Sequence, residues 1–400
     1  MSTEREQIVD LTTKLVKIPS ISIEPKDAPE DRVRKRDAAV QVLNLVSEYL
    51  ARTDGITSET FENNGVVSRL WGSRETFLKP KLLLSGHIDV VNAPTNFFTP
   101  KLDKEKLIGR GTGDMKGHVA ALVMAYKKWI LENKSSKGVG LLLTSDEEVG
   151  GFNGARYVIE KGLLRPGVVF IPDGEFSFNI VDSQKAPHHF HVKAMSKDGG
   201  GHVSRAFKID NPVNHIVSLY QEMRKKYALA TPDNDWQSTF EMTAFSTGNG
   251  QGENKSSNSA NQIAEWAEAW FGWRWPLEVK IDGKPATYQT GMADLKDLAE
   301  KYGVEILKDE HGFGEGCYTD PNLDSVKRWI RVIEPIVKQP VNFQHMHGAT
   351  DGRHFYKYGS DVIVTSGITG GAHSDHEWVD IDSLVKLSEA IYRYQKEMTK

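Results

Sequence analysis

The apolar residues of the chain follow two alternating patterns, a helical spacing and short unbroken runs. Ile8, Leu11 and Leu15 recur at helical spacing and predict a helix over residues 3–16, which stops before Pro19. The same spacing predicts helices over residues 31–50, 115–132 and 381–394. Unbroken apolar runs typical of buried strands cover residues 81–86, 138–144, 167–171 and 361–365. Buried strands that alternate with helices predict an α/β fold with a mostly parallel sheet flanked by helices.

The pattern changes in the middle of the chain. Residues 188–195 alternate between apolar and polar, as in a strand with one exposed face, and residues 264–275 are rich in tryptophan and phenylalanine. Helical spacing returns at residues 212–227 and 293–302. We therefore expect an α+β domain at residues 188–315, inserted into a first domain that consists of residues 1–187 and 316–400.

Composition excludes several classes of protein. The 400 residues suffice for two domains, and 39% apolar with 26% charged residues is typical of a globular chain. The net charge of −4 gives no support for a nucleic-acid or anionic-membrane partner. The single cysteine, Cys317, excludes an intrachain disulfide and a thiolate cluster, so any metal ligands must be His, Asp and Glu. The polar N-terminus and the lack of an apolar run near 18 residues predict a soluble, cytoplasmic protein.

Acidic and histidine residues follow each of the four predicted buried strands. They are His87 and Asp89 after the first, Glu147 and Glu148 after the second, Asp173 after the third, and His373 after the fourth and a glycine-rich turn. A further glycine-rich segment, residues 109–113, precedes Asp114, which lies just before a predicted helix. Because ligands of open α/β sheets bind beyond the carboxyl ends of the strands, we expect these side chains to converge on one crevice.

Several carboxylates in one apolar-walled crevice would repel one another and resist ionising together. A pair of divalent cations removes that conflict, and imidazole with carboxylate suits zinc, cobalt or manganese. Two such ions can share a carboxylate and a water, which then becomes a nucleophile near neutral pH. Of the adjacent Glu147 and Glu148, one can bind metal while the other accepts the proton of the water. Asp89 is placed to orient the His87 imidazole.

Five stretches of the sequence resemble the co-catalytic zinc metallopeptidase family. That family includes acetylornithine deacetylase, succinyl-diaminopimelate desuccinylase, aminoacylase, glutamate carboxypeptidase and carnosinase-type dipeptidases. The matching stretches occur in the order of the family and are residues 85–90, 109–117, 144–150, 172–175 and 371–377. The resemblance implies a zinc-peptidase-like catalytic domain, with residues 188–315 as a lid that usually carries a homodimer contact.

The resemblance also implies roles for the residues at the strand ends. It implies two divalent ions, with zinc first and cobalt or manganese as alternatives. Asp114 would bridge them, His87 and Asp173 would complete one site, and Glu148 and His373 the other. Glu147 would be the general base, with Asp89 supporting His87.

Four further residues match the substrate-contacting positions of the family. His202 resembles the lid histidine that supports the oxyanion in a partner's site, and Asn261 begins a motif whose usual proline is Ala264 here. Arg274 stands where a lid arginine often meets a substrate carboxylate. Thr350 and Arg353 lie in a turn that resembles the one lining the pocket. The tryptophan-rich lid and the additional His376 depart from the pattern of the family.

We therefore expect a metallohydrolase that cleaves an amide bond of a dipeptide or an N-acyl amino acid with a free carboxylate. Removal of an acyl group or an aromatic amine from a non-peptide is the first alternative, because of the tryptophan-rich lid. A catalytically silent binding protein on the same scaffold is the second, and the competent residue types at the core positions argue against it. Residues 188, 189 and 191 are histidines without an evident carboxylate partner and favour a structural role over a second metal site. A nucleotide loop at residues 109–114 is disfavoured, because Asp114 stands where the last glycine belongs.

Overall fold

The computed structural model describes residues 3–51, 56–73, 77–250, 259–277, 279–281, 283–307 and 316–400. It divides the chain into two compact units. The first unit consists of Met1–Gln184 and Cys317–Lys400, and the second of Lys185–Gly316. The boundaries predicted from the sequence, after residues 187 and 315, lie close to these two junctions.

The helices and strands are numbered along the whole chain. The helices are Glu4–Val16 (α1), Pro29–Leu50 (α2), Gly117–Asn133 (α3), Ala155–Glu160 (α4), Pro212–Tyr227 (α5), Tyr288–Tyr302 (α6), Asp324–Val337 (α7), Gly352–Tyr356 (α8) and Ile381–Thr399 (α9). The strands are Thr57–Asn63 (β1), Val66–Gly72 (β2), Leu82–His87 (β3), Lys101–Asp103 (β4), Lys106–Ile108 (β5), Val139–Thr144 (β6), Val168–Ile171 (β7), Ile180–Gln184 (β8), Ala186–Met195 (β9), Gly201–His202 (β10), Thr239–Gly248 (β11), Gln262–Ile263 (β12), Trp266–Trp275 (β13), Val279–Ile281 (β14), Lys284–Ala286 (β15), Val304–Ile306 (β16), Cys317–Tyr318 (β17), Phe343–Met346 (β18), Asp361–Val364 (β19), Thr369–Gly370 (β20) and Trp378–Asp380 (β21).

A mixed sheet forms the centre of the first unit. Its strand order is β1-β2-β6-β3-β7-β19-β8-β17, with β18 beside β8. The parallel pairing predicted from the sequence is found among β6, β3, β7 and β19. The β1–β2 hairpin, β2 beside β6, and the pairs of β8 with β19 and β17 are antiparallel. The α/β class predicted from the sequence is confirmed, and the parallel strands occupy the middle of the sheet.

The central strands are buried and mostly apolar because helices cover both faces of the sheet. All residues of β3 and β6 are buried. One hydrophobic cluster contains buried residues of α1, α2, α3, α7 and α9, and a second contains residues of α4 and α8. Among the described residues, no helix is long and apolar enough to cross a membrane.

Local sequence signals account for the helix ends. Thr3 and Glu6 form a capping box at the start of α1, because each side chain accepts the backbone N–H of the other residue. The helix predicted from residue 293 begins earlier, at Tyr288, because Thr287 and Thr290 cap each other in the same way. Gly303, with φ +64°, ends that helix in the left-handed conformation that glycine adopts without strain.

The β1–β2 hairpin was absent from the sequence-based prediction. Its turn contains Asn64 and Gly65, with φ values of +50° and +81°. An Asn-Gly pair between two strands is a strong hairpin signal, because both residues tolerate positive φ. The signal was therefore present in the sequence, and the polar character of β1 concealed it.

The second unit is an α+β domain with its own core. Its sheet has the order β11-β13-β9-β16 and is antiparallel. Helices α5 and α6 supply buried apolar residues to the same hydrophobic cluster as the sheet. Trp273 and Trp275 belong to this core, so much of the tryptophan-rich segment is domain interior. Trp270 is 38% exposed and faces away from it.

Replacement of Trp329 tests how tightly the first unit is packed. Trp329 is fully buried, and its ring centroid lies 4.6 Å from that of Phe170 and 5.5 Å from that of Tyr394. Because Trp329→Ala leaves a large apolar cavity, we expect the free energy of unfolding to fall by about 3–5 kcal/mol. Denaturant titration measures this loss. Leu131→Ala, at a side chain 55% exposed, is the control and should change stability by about 0.5 kcal/mol or less. Equal effects of the two substitutions would contradict the packing described.

Candidate active site

The candidate site lies at the carboxyl ends of four adjacent parallel strands. In the order β6-β3-β7-β19, the register pairs His87 with Thr144 and Val364 with Ile171, so the strands end at the same edge. The segments that follow them carry the acidic and histidine residues singled out in the sequence. The structure brings His87, Asp114, Glu148, Asp173 and His373 together there, in two groups that share one residue.

His87, Asp114 and Asp173 form the first group. The His87 ring is 1% exposed, and its Nε2 lies 3.1 Å from Asp114 Oδ1 and 3.7 Å from Asp173 Oδ1. The potential ligand atoms of the three side chains all lie within 4.8 Å of one another.

Asp114, Glu148 and His373 form the second group. His373 Nε2 lies 2.9 Å from Glu148 Oε2 and 3.1 Å from Asp114 Oδ2. Here too the potential ligand atoms lie within 4.8 Å of one another. The two oxygens of Asp114 therefore point to different imidazoles, and this carboxylate stands between the groups.

Burial makes the carboxylates of the site hard to ionise. It raises the pKa of Asp173 to about 6, against the hydrogen bond to His87. Burial, together with the charge of Asp114, raises the pKa of Glu148 to about 7. Asp114 behaves differently: burial opposes its ionisation, but hydrogen bonds from His373 and His87 bring its pKa below the ordinary value.

The two imidazoles supply the positive charge that balances these carboxylates. Hydrogen bonds to Asp114 and Glu148 raise the pKa of His373 to about 10. Burial lowers the pKa of His87, but its carboxylate partners outweigh burial and raise it well above the ordinary value. Divalent cations would provide the same balance and leave both rings neutral, as metal ligands must be. Two imidazoles with three carboxylates, one of them shared, form a donor set that fits a pair of such ions.

Glu147 lies beside this donor set and belongs to neither ligand group. It begins the short 3₁₀ turn Glu147–Val149 that follows β6. Burial, together with the charge of Asp173, raises the pKa of Glu147 well above its ordinary value. A carboxyl group with a raised pKa has an increased affinity for a proton, as a general base requires.

Asp89 links the His87 ring to the turn that carries both glutamates. Its backbone carbonyl accepts from His87 Nδ1 at 3.0 Å, and its carboxylate Oδ1 lies 3.4 Å from the same nitrogen. The carboxylate also accepts the backbone N–H groups of Glu147 and Glu148, at 3.2 and 3.1 Å. A hydrogen bond from Ser22 Oγ, at 2.7 Å, completes its surroundings. Asp89 thus orients the ring and the turn together.

Glu377 is a site residue that the sequence analysis missed. Its Oε1 accepts the backbone N–H groups of Gly113 and Asp114, both at 3.0 Å, and its Oε2 pairs with Arg110 at 2.5 Å. The side chain is 1% exposed. Because Glu377 follows His373 by four residues, it ties the loop of His373 to the loop of Asp114. The available signal was an acidic residue directly before the short strand β21.

Two buried side chains near Asp114, Lys116 and His118, were also missed. Lys116 is fully buried, and its Nζ donates to the carbonyls of Leu15 and Ile18. Burial lowers the pKa of this amine to about 7. His118 accepts the N–H of Gly367 at Nε2, and burial lowers the pKa of its ring to about 4. Both side chains hold the segment after Asp114 against other parts of the first unit.

Thr350 and Arg353 are buried in the first unit, at 1% and 3% exposure. Thr350 donates its backbone N–H to Gln184 Oε1 at 2.8 Å. Arg353 donates from Nη2 to the carbonyl of Gly150 at 2.7 Å. Substrate contact by both residues stays a prediction from the sequence, and the hydrogen bonds described here connect them to other parts of the first unit.

The second unit brings His202 and Asn261 together. Strands β10 and β12 pair His202 with Gln262, and the Asn261 carbonyl accepts the N–H of Val203. The His202 ring accepts the N–H of Ser204 at Nδ1, 3.2 Å away, so a neutral ring carries its proton on Nε2. Arg274 lies on β13 opposite Pro187 of β9.

The other histidines singled out in the sequence form no third metal group among the described residues. His191 stacks on Trp270 with ring centroids 4.1 Å apart, and its Nε2 lies 3.4 Å from Glu268. His188 is buried beside Phe190. His376 is exposed and lies outside both ligand groups, although its backbone N–H donates to Ser374.

Comparisons with known proteins agree with this architecture. The model of Peptidase family M20/M25/M40 matches residues 83–397. The chain is 26% identical over 400 residues to succinyl-diaminopimelate desuccinylase of Wigglesworthia glossinidia brevipalpis, covering 97% of both chains. An M20 family metallo-carboxypeptidase from Sulfolobus solfataricus has the same fold, with a TM-score of 0.73, 18% identity and 100% of both chains covered. A dinuclear metal binding M20 peptidase from Bacillus subtilis matches with a TM-score of 0.57 and 13% identity, over 98% of this chain and 97% of that one.

The family match, over residues 83–397, includes part of each segment of the first unit and all of the second unit between them. It therefore includes every residue of the two ligand groups, together with Glu147. The match and the relatives agree with the chemistry of the site, and the chain belongs to Peptidase family M20/M25/M40 and is a metallohydrolase.

Proposed function

We propose that this protein holds two divalent cations in its first unit and hydrolyses an amide bond of a dipeptide or an N-acyl amino acid. One observation carries the proposal. The Asp114 carboxylate lies 3.1 Å from His87 on one side and 3.1 Å from His373 on the other, between two groups of potential ligands. A carboxylate shared in this way suits a pair of neighbouring ions.

The ligand roles follow from the two groups. Asp114 would be shared by the two ions, His87 and Asp173 would complete one site, and Glu148 and His373 would complete the other. Imidazole and carboxylate ligands suit zinc first, with cobalt and manganese as alternatives. The likeness to the Bacillus subtilis protein, a dinuclear metal binding peptidase, supports two ions rather than one.

The bound ions would polarise the scissile carbonyl and lower the pKa of the attacking water. Glu147 accepts the proton of that water and returns it to the leaving amine. Its position in a turn held by Asp89 keeps the carboxyl group oriented during both transfers. Asp89 also fixes the His87 ring through Nδ1, so that Nε2 faces Asp114 and would be free to bind an ion there.

His202 supports the developing oxyanion from the lid. Its Nδ1 accepts the N–H of Ser204, so Nε2 carries the proton and can donate to an oxyanion. We propose that the protein is a homodimer in which each His202 serves the site of the other copy. The second unit acts as the lid and dimerisation domain.

The substrate class follows from the cations of the second unit and from the relatives. We assign Arg274, with Asn261, to the free carboxylate of the substrate. Lys185 is a second cation close to Arg274: burial lowers the pKa of Lys185, and the charge of Arg274 adds to that shift. The desuccinylase and metallo-carboxypeptidase relatives, by their names, support an N-acyl or peptide amide as the bond cleaved.

A panel of substrates tests the proposed function. Metal-free protein should be inactive, and zinc, cobalt or manganese should restore cleavage of free-carboxylate dipeptides or N-acyl amino acids, read by mass spectrometry. Glu147→Gln should retain both ions and lose about 10²–10⁴-fold in kcat, because it removes only the proton acceptor. Glu160→Gln, on the exposed surface of α4, is the control and should keep full activity. No cleavage of any panel member with any metal would contradict the proposal, and full activity of Glu147→Gln would contradict the base assignment.

Mixing two inactive variants tests whether His202 acts on the other copy. In a heterodimer of His202→Ala and Glu147→Gln chains, one site combines an intact Glu147 with an intact His202 from the partner. Random exchange of subunits should therefore restore about a quarter of the wild-type activity. If His202 served its own chain, every site would lack one of the two groups, and mixing would restore nothing.

Substitution of Glu377 tests how the ligand loops are held. Glu377→Ala removes the acceptor for the Gly113 and Asp114 amides, so we expect cobalt affinity to fall by about 10–100-fold, measured from cobalt absorption during titration. Glu377→Gln keeps an acceptor oxygen and should lose less. Glu389→Ala, which removes a surface ion pair with Lys128, is the control. Unchanged cobalt affinity in Glu377→Ala would show that the hydrogen bonds of Glu377 do not hold the ligand loops in place.

A further inference from the structure

The turn that carries Glu147 and Glu148 is closed by two glycines. Gly150 and Gly151 have φ values of +107° and +68°, which side chains rarely adopt. Gly150 donates its N–H to the Glu147 carbonyl, and Gly151 donates to the Asp146 carbonyl, both at 2.7 Å. These two bonds shape the turn but do not attach it to the rest of the unit.

Asp89 attaches the turn at the Glu147 and Glu148 amides, and the carbonyl of Gly150 attaches it at its other end. This carbonyl accepts from Arg353 Nη2 at 2.7 Å and from His354 Nε2 at 2.9 Å. Both donors lie in the first turn of helix α8, and both are buried, at 3% and 6% exposure. Two buried side chains adjacent in sequence thus converge on one backbone oxygen, at the end of the turn that carries the general base.

Asp351 holds the same two segments together at a second point. Its Oδ2 accepts from Thr144 Oγ1 at 2.9 Å, and Thr144 is the last residue of β6 before the turn. A Cβ atom at Gly151 would lie 1.9 Å from Asp351 Oδ1, so only glycine allows this approach. The start of α8 therefore contacts both ends of the segment from Thr144 to Gly151.

The surroundings of the Arg353 guanidinium also favour an internal role. Burial lowers its pKa, and the charges of Glu147, Asp351 and Asp146 oppose that shift. The Phe152 ring lies on the same group, 5.9 Å from its central carbon to the ring centroid. The Nη2 of this guanidinium is therefore bonded to a backbone carbonyl, and protein carboxylates oppose the loss of its charge, without a substrate.

We infer that Arg353 and His354 are positioning residues that hold the Glu147 turn through the Gly150 carbonyl, and that Arg353 does not contact the substrate. The inference rests on the proposed role of Glu147 as general base. It replaces the substrate-binding role that the sequence predicted for Arg353. We call the hydrogen bonds from Arg353 and His354 to the Gly150 carbonyl the brace. Misplacing a catalytic group by about 1 Å can cost about 10²-fold in rate, so loss of the brace should lower kcat rather than substrate affinity.

Kinetic constants separate the two roles of Arg353. We expect Arg353→Met to lower kcat by about 10-fold or more and to change KM less than about twofold. A residue that binds the substrate carboxylate would instead raise KM. Arg156→Met is the matched control, because Arg156 also lies over the Phe152 ring, at 5.5 Å, but pairs with Glu160. A raised KM with unchanged kcat, or no change in either constant, would overturn the inference.

Two variants of His354 test the same hydrogen bonding without any change at Arg353. His354→Gln keeps an N–H donor for the Gly150 carbonyl, whereas His354→Phe keeps only a ring. We expect the Gln variant to retain more of the wild-type kcat than the Phe variant, at similar KM and similar thermal stability. Equal kcat values in the two variants would count against the brace, even if Arg353→Met failed to fold.

Hydrogen exchange distinguishes failure of the brace from failure of the proposed function. In metal-free Arg353→Met, peptides that cover residues 144–154 should exchange faster than in the wild type, whereas peptides from α9 should not change. Unchanged exchange at residues 144–154 would overturn the brace. Faster exchange there, in a protein whose wild type cleaves no amide with any metal, would overturn the proposed function and leave the brace standing.

Discussion

The repulsion among buried carboxylates is the constraint on which the candidate site depends. Asp114, Glu147, Glu148 and Asp173 meet at one edge of a sheet, and burial opposes the ionised form of each of them. The imidazoles of His87 and His373 balance part of this charge, and the Asp114 carboxylate lies between them, with one oxygen near each ring. A protein with such a cluster needs compensating positive charge beside it. In a metallohydrolase, bound metal ions would supply that charge and also take part in the reaction.

The same constraint accounts for the hydrogen bonds behind the site. Metal-ligand geometry tolerates little displacement, yet only His87, at the end of β3, lies on a strand, and the other four candidate ligands lie in the segments between strands. Glu377 joins the loops of Asp114 and His373, Asp89 joins His87 to the glutamate turn, and Arg353 joins that turn to α8. Each connection ends on backbone atoms, which fixes the course of a loop more firmly than a contact between two mobile side chains.

The sequence predicted the elements whose signals are local. Unbroken apolar runs identified β3, β6, β7 and β19, and the residues that follow them are the ones that the structure brings together. Glu377 and the bonding of Arg353 could not be found in the same way, because their partners are distant in sequence: Glu377 contacts Asp114, and Arg353 contacts Gly150. The sequence of a motif does not show whether the guanidinium of its arginine faces a pocket or a buried carbonyl. The β1–β2 hairpin was missed for another reason, since its first strand is mostly exposed and lacks an apolar run.

The two junctions of the inserted unit lie on neighbouring strands of the first unit. Gln184, the last residue of β8, is paired with Cys317, the first residue of β17, in an antiparallel ladder. Antiparallel neighbours of this kind are ordinarily joined by a turn of two residues. In topological terms the second unit is therefore an expanded hairpin loop. Such a loop can be lengthened, shortened or replaced without rethreading the sheet, so the inserted unit can change while the strands that carry the candidate site keep their pairing.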